Sequence, residues 1–139
     1  MSDYLDASVV VSLFVRDIHT PAAWAFSAGD PDIVISHWTI AEFSSALGIQ
    51  VRMGRLGAQE RLGAEQNFDL WLAQQPEPMM PVVDDFVAAR ALVQTAQVAL
   101  RAADALHLAV CLRIGASLAT FDIRLAEAAA HFGAPVTAF

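Results

Sequence analysis

Four carboxylates stand where an apolar segment ends or is interrupted: Asp6 in YLDAS, Glu42 in TIAEFSSAL, Asp104 in RAADALHLAV and Asp122 in LATFD. An unpaired charge is costly in such company, so each must be paired, solvated in a cleft or bound to a cation. Two carboxylates ~4 Å apart repel by about 4 kcal/mol at an effective dielectric near 20, and a divalent cation resolves that conflict. Oxygen donors with no cysteine partner and no histidine cluster favour Mg²⁺ or Mn²⁺ over Zn²⁺. Such an ion makes water a nucleophile near neutral pH and offsets charge on a phosphate. These residue types therefore point to hydrolysis at phosphorus.

Each acid also has a structural explanation. Asp6 can cap the helix that follows it, Asp104 can cap its own helix and pair with Arg101, and Asp122 is a natural N-cap. Glu42 has the weakest such excuse, lying among Ile40, Ala41 and Phe43. His19, His37, His107 and His131 are scattered; His107, one turn after Asp104, is either a hydrogen-bonded structural histidine or a participant in the chemistry.

The elements that must position these acids alternate between strand and helix. Strands are expected at Asp3–Asp6, Ile33–Ser36, Met80–Val83, Leu118–Thr120 and Val136–Ala138. Helices are expected at Val9–Val15, at Ala22–Ala28 after a Thr20 hydroxyl that caps the helix and Pro21 in its first turn, and at Trp38–Arg52. Others are expected from Ala58 to about Gln74, from Asp84-Asp85 through Thr95, at Arg101–Arg113 and at Ile123–Phe132. Apolar residues at Ile40, Phe43, Leu47 and Val51 carry the helical spacing of the third of these. Strands separated by helices imply a parallel sheet covered on both faces. In right-handed βα units the helix N-termini share an edge with the strand C-termini, and all four acids fall on that edge, where open α/β sheets place ligands.

Composition bounds the rest. The chain has 139 residues, read as one domain, with hydrophobic residues at 56%. Its mean hydropathy is +0.47. No run reaches the ~18 apolar residues of a membrane helix, so a protein partner is expected to cover the excess apolar surface. The start MSDYLDAS is too acidic and polar for a signal peptide, and the lone Cys111 reads as a buried thiol, which together suggest a cytoplasmic protein. Net charge is −7 and all eight basic residues are arginine. This excludes a broad basic face for nucleic acid and leaves metal ions and a few arginines to attract a phosphodiester. Arg16, Arg52, Arg55, Arg101 and Arg124 are the candidates, although Arg101 and Arg124 can instead neutralise Asp104 and Asp122, which is the favoured role for Arg101.

The segments YLDAS, AEFSSAL, RAADALHLA and LATFDIRLAEAA resemble the PIN-domain nucleases, and among them most closely the VapC-type toxins of bacterial toxin–antitoxin pairs. The resemblance runs from Tyr4 to Val136 and is most specific around Asp104. It implies a PIN-like three-layer α/β fold with a five-stranded parallel sheet flanked by helices, and a homodimer. It also implies a Mg²⁺- or Mn²⁺-dependent endoribonuclease held inactive by a cognate antitoxin. Carried over by position, Asp6, Glu42, Asp104 and Asp122 form the acidic metal site. Asp6 and Asp104 are its direct ligands, and Asp122 and Glu42 act through waters. Ser8 and Thr120 match nearby hydroxyl positions, with helix capping or turn bonding as their ordinary explanation. Trp24, Trp38, Trp71 and Phe68 could form a groove for an antitoxin helix or simply pack in the core.

Competing classes meet specific obstacles. A phosphoreceiver domain needs a lysine, and there is none. A Rossmann-type nucleotide binder needs a glycine-rich turn after its first strand, and DASVVV offers none. Two alternatives stand: a housekeeping RNA-processing nuclease without an antitoxin, distinguished by the absence of an antitoxin gene beside it, and a metal-free, non-catalytic protein-binding module, distinguished by its failure to bind metal.

Overall fold

A computed structural model describes all 139 residues, Met1–Phe139. Strands β1 (Asp3–Leu5), β2 (Ile33–Val34) and β3 (Ser117–Ala119) form a parallel sheet in the order β2-β1-β3. Tyr4 pairs with Val34 on one side and Leu118 on the other. Met79 adds a single parallel bridge to Ser36 beyond β2, and Val136 adds one to Leu118 beyond β3. The expected five-stranded sheet is thus three strands with a one-residue edge on each side. Prolines explain the difference. Met79 lies between Pro78 and Pro81, and Val136 follows Pro135, and a residue without an N–H cannot extend a ladder. The strand expected at Met80–Val83 does not form, because only Met79 pairs and Val83 already opens a helix.

Alternation along the strands sorts the core into two layers. Leu5 and Ala119 face one side, with Val9 and Val10 of α1 (Ala7–Phe14), Phe43 and Leu47 of α3 (His37–Arg52), and Phe68 of α4 (Ala58–Leu72). Tyr4 and Leu118 face the other, with Leu108 and Val110 of α6 (Ala102–Ile114) and Leu125 and Ala128 of α7 (Ile123–His131). Helix α2 (Thr20–Ala28) packs on α1, and α5 (Val83–Thr95) packs on α6. The result is a three-layer α/β fold.

Local chemistry sets the helix ends. Gly115 closes α6 in the left-handed region at φ 67°, where a side chain would be strained. At the start of α5 the Asp85 carboxylate accepts from the Val82 amide at 2.8 Å. Thr20 differs from expectation. It is the first residue of α2, and its hydroxyl donates to the Ser12 carbonyl (2.9 Å) and accepts from the Asp17 amide (2.9 Å), so it closes the α1–α2 loop without capping α2. No helix is long and apolar enough to cross a membrane.

Candidate functional site

Because β1 and β3 are parallel neighbours, their C-terminal ends lie side by side, and the Asp6 amide donates to Ala119 O at 3.1 Å. Asp6 follows β1 directly and caps α1: its Oδ1 accepts from the amides of Ser8 (2.9 Å) and Val9 (3.2 Å) and from the Ser8 hydroxyl (2.6 Å). Its Oδ2 accepts from the Thr120 hydroxyl at 2.5 Å. Ser8 Oγ in turn accepts from the Phe121 amide (2.9 Å), and Thr120 Oγ1 from the Asp122 amide (3.0 Å). The two hydroxyls therefore tie the ends of the two strands together through the buried Asp6 carboxylate, which is 4% exposed. Burial pushes that carboxyl above its ordinary value, against the opposing effects of the Ser8 and Thr120 hydrogen bonds, the charge of His107 and the Val9 amide.

The other three acids arrive on helices. Asp122 caps α7 with Oδ1, accepting from the amides of Arg124 (2.8 Å) and Leu125 (3.1 Å). Asp104, in the first turn of α6, accepts on Oδ2 from Arg101 Nε at 3.1 Å. Glu42, on α3, lies with Oε2 2.5 Å from Nε2 of His107. All four acids line one open cavity of about 560 Å³, together with Ser8, Asp17, His19, Arg101 and Phe121. Asp104 and Asp122 also border a smaller cavity of about 380 Å³ that adds Arg124. The shared edge expected from topology places them there, although Asp6 and Asp122 also cap helices and Asp104 also pairs with Arg101 as their local positions suggested, while the Glu42 partner, His107, comes from a distant segment.

An all-oxygen donor set suits a hard divalent cation. The setting suits one too, since Asp6 is a buried carboxylate with no basic side chain in ion-pair contact. Glu42, Asp104 and Asp122 each use one carboxylate oxygen for a protein hydrogen bond and keep the other unbonded. As they stand, no three His, Cys, Asp or Glu side chains lie close enough to hold a metal ion. Glu42 is drawn to His107, Asp104 to Arg101 and Asp122 to its own helix. The residues fit a divalent cation by donor type and by the cavity they share.

Other candidates land elsewhere. Arg16 lies over the Trp24 ring, 5.8 Å from its centroid, and Arg52 and Arg55 are exposed away from the cavity lining. The four aromatics do not form one groove: Phe68 is core, and Trp38 donates to Ala103 O at 3.3 Å and lines a separate cavity between α5 and α6. Cys111 is buried, and burial pushes its thiol up to about 12, leaving it inert. Two titratable residues of the cavity, Asp17 and His19, were not assigned to the site from the sequence. Asp17 accepts from the Ser12 hydroxyl (2.8 Å) and the His19 amide (2.8 Å), and the His19 ring stacks on Phe121 with centroids 4.4 Å apart. The only local hint was the Asx-turn pattern DIHT, which reads as a loop.

The family model of the PIN domain matches residues 4–131. No curated protein matches the chain by sequence. Among solved structures it resembles the sarcin–ricin loop cleaving toxin VapC20 of Mycobacterium tuberculosis, with TM-score 0.73 and 21% identity over 91% of this chain and 95% of the other. It is also similar to FitAcB from Neisseria gonorrhoeae, with TM-score 0.69 and 19% identity over 98% and 96%. A third likeness is VapBC2 from Rickettsia felis, solved bound to a DNA fragment from its promoter, with TM-score 0.66 and 14% identity over 91% and 92%. At these identities the likenesses establish the shared fold.

Proposed function

This chain belongs to the PIN-domain family, and from that premise we propose that residues 1–139 form one metal-dependent endoribonuclease domain acting in the cytoplasm as the toxin of a type II toxin–antitoxin pair. The observation that carries the reading is the convergence of Asp6, Glu42, Asp104 and Asp122 on one cavity at the C-terminal edge of the sheet. The likeness to a toxin described as cleaving the sarcin–ricin loop supports RNA as the substrate class.

Asp6 and Asp104 would hold Mg²⁺ or Mn²⁺ directly, and Glu42 and Asp122 through waters. Such a cation supplies an acidified water and offsets charge on the phosphate. The chain's own residues supply the rest. Ser8 and Thr120 fix the Asp6 carboxylate between two strand ends. Arg101, 79% exposed and beside Asp104, is the basic side chain placed to meet a phosphate entering the cavity. Val83, Phe86 and Val87 share one exposed face of α5, an apolar surface suited to a protein partner. A homodimer and a cognate antitoxin complete the proposal, and light scattering with and without the antitoxin checks the assembly.

The direct test is cleavage of single-stranded RNA with Mn²⁺, with Mg²⁺ and with EDTA. Wild type is expected to cut only with metal, while Asp6→Ala and Asp104→Ala lose cleavage by at least ~100-fold and keep the wild-type circular dichroism spectrum. Retained metal-dependent cleavage in both variants would sink the site assignment. Induced in cells, the wild type should arrest growth and Asp104→Ala should not. Arrest by both would mean the harm is not catalytic. Cleavage in vitro without arrest would leave either the RNA-processing alternative or a target missing from the host.

A further inference from the structure

We propose that His107 is a positioning residue, holding the Glu42 carboxylate at the rim of the acidic cavity through a buried chain that runs Ser36–Tyr4–His107–Glu42. The inference rests on the metal-site reading above and identifies what orients one of its four acids.

The chain joins three elements. Glu42 comes from α3, His107 from α6, one turn beyond Asp104, and Tyr4 from the central strand. The His107 side chain is 1% exposed, whereas that of Glu42 is 25% exposed and lines the cavity. One imidazole nitrogen, Nε2, lies 2.5 Å from Glu42 Oε2, and the other, Nδ1, lies 2.9 Å from the Tyr4 hydroxyl. The Tyr4 hydroxyl is 2.8 Å from Ser36 Oγ.

Donor and acceptor counting orients the chain. An ionised carboxylate only accepts, so Nε2 carries the proton and donates to Glu42. In the neutral form of the ring Nδ1 is then the acceptor, and the phenol is the donor there. A phenol keeps its proton near neutral pH, so the Tyr4 hydroxyl can donate here. The Thr39 hydroxyl proton goes to the Leu5 carbonyl (3.0 Å) and the Thr39 amide donates to Ser36 Oγ (3.1 Å), which leaves the Ser36 proton free to reach Tyr4. Tyr4 thus selects the tautomer that His107 presents to Glu42, as outer partners of metal-site residues do elsewhere. Without His107, the partly exposed Glu42 side chain would swing toward solvent.

The test reads metal binding and ring chemistry, with no turnover required. In the metal-free wild type, imidazole ¹⁵N spectra are expected to show His107 as the Nε2–H tautomer; an Nδ1–H tautomer would overturn the proposal. Mn²⁺ titration by calorimetry is expected to show affinity about 10–100-fold weaker in Tyr4→Phe and His107→Phe. His107→Gln, which can offer an amide N–H near the place of Nε2, should recover most of that loss. Arg113→Met, destabilising but remote from the chain, should bind Mn²⁺ as wild type does. Should His107→Phe fail to fold, Tyr4→Phe, which removes one hydroxyl, carries the same comparison. Mn²⁺ bound by wild type with unchanged affinity in Tyr4→Phe and His107→Phe overturns the positioning role alone. No Mn²⁺ binding by wild type overturns the metal-site reading and this proposal with it.

Discussion

The Asp6 side chain accepts four hydrogen bonds, is nearly inaccessible to water and has no basic side chain in ion-pair contact. Burial raises its carboxyl above the ordinary 3.8, so over the interval between that value and the raised one the folded protein binds more protons than the unfolded chain. Stability must fall across that interval as pH rises. The contribution is complete below pH 3.8 and is lost as pH climbs through the folded value. Asp6→Asn can keep the amide bonds at Oδ1 while its NH₂ donates to Thr120 Oγ1, so the variant should fold. We expect metal-free Asp6→Asn to lose this component of the pH dependence and to melt no lower than wild type at pH 7. A scanning calorimetry series across pH checks it, and an unchanged slope would contradict the assignment. Such a residue is retained at a cost to stability, as functional groups often are.

At the scale of elements, α5 and α6 are joined by a charged clamp. Arg113 Nε and Nη2 donate to the two oxygens of Asp85 at 2.6 and 2.9 Å, and the Asp85 side chain is 1% exposed. Burial alone would raise the Asp85 carboxyl, but the Arg113 hydrogen bonds, the Val82 amide and the Arg113 charge outweigh it and hold it below its ordinary value. Its stabilising contribution is therefore present above pH 3.8 and is lost as pH falls through the lowered value. Arg113→Met strands a buried carboxylate and should cost about 3 kcal/mol. Adding Asp85→Asn, which keeps an acceptor for the Val82 amide, should recover part of that loss. Urea unfolding of the single and double variants measures both; a double variant no more stable than Arg113→Met would mean the stranded charge is not the cause. The pair lies outside the acidic cavity, so this clamp and the candidate chemistry can be varied independently.

For the whole molecule, the decisive quantity is charge. With a net charge of −7, the protein has little to draw RNA by itself, and only Arg101 and Arg124 border the two cavities at the acidic edge. Two phosphate contacts on a single strand release few counterions. The log–log dependence of RNA affinity on salt should then have a slope of about −1.4 in EDTA. Fluorescence anisotropy with a short labelled RNA at several salt concentrations measures it. A slope near −5 would imply seven or so phosphate contacts and a basic surface that one copy of the chain does not have.

Much of this protein is determined by its sequence alone. The βα alternation, the parallel sheet with two covered faces, and the placement of Asp6, Glu42, Asp104 and Asp122 on one edge follow from apolar periodicity and from the geometry of βα units. The caps at Asp6 and Asp122 and the stop at Gly115 are local, so they too are legible in single segments. Other features exist only in three dimensions. The outer strands shrink to single bridges because proline removes donors just where neighbouring strands would need them. His107 meets Glu42 across 65 positions and Tyr4 across 103, and Thr120 meets Asp6 across 114. No periodicity encodes such pairs. They arise because parallel strands bring distant segments to a common edge, where buried polar groups must find whatever partners the fold has placed beside them.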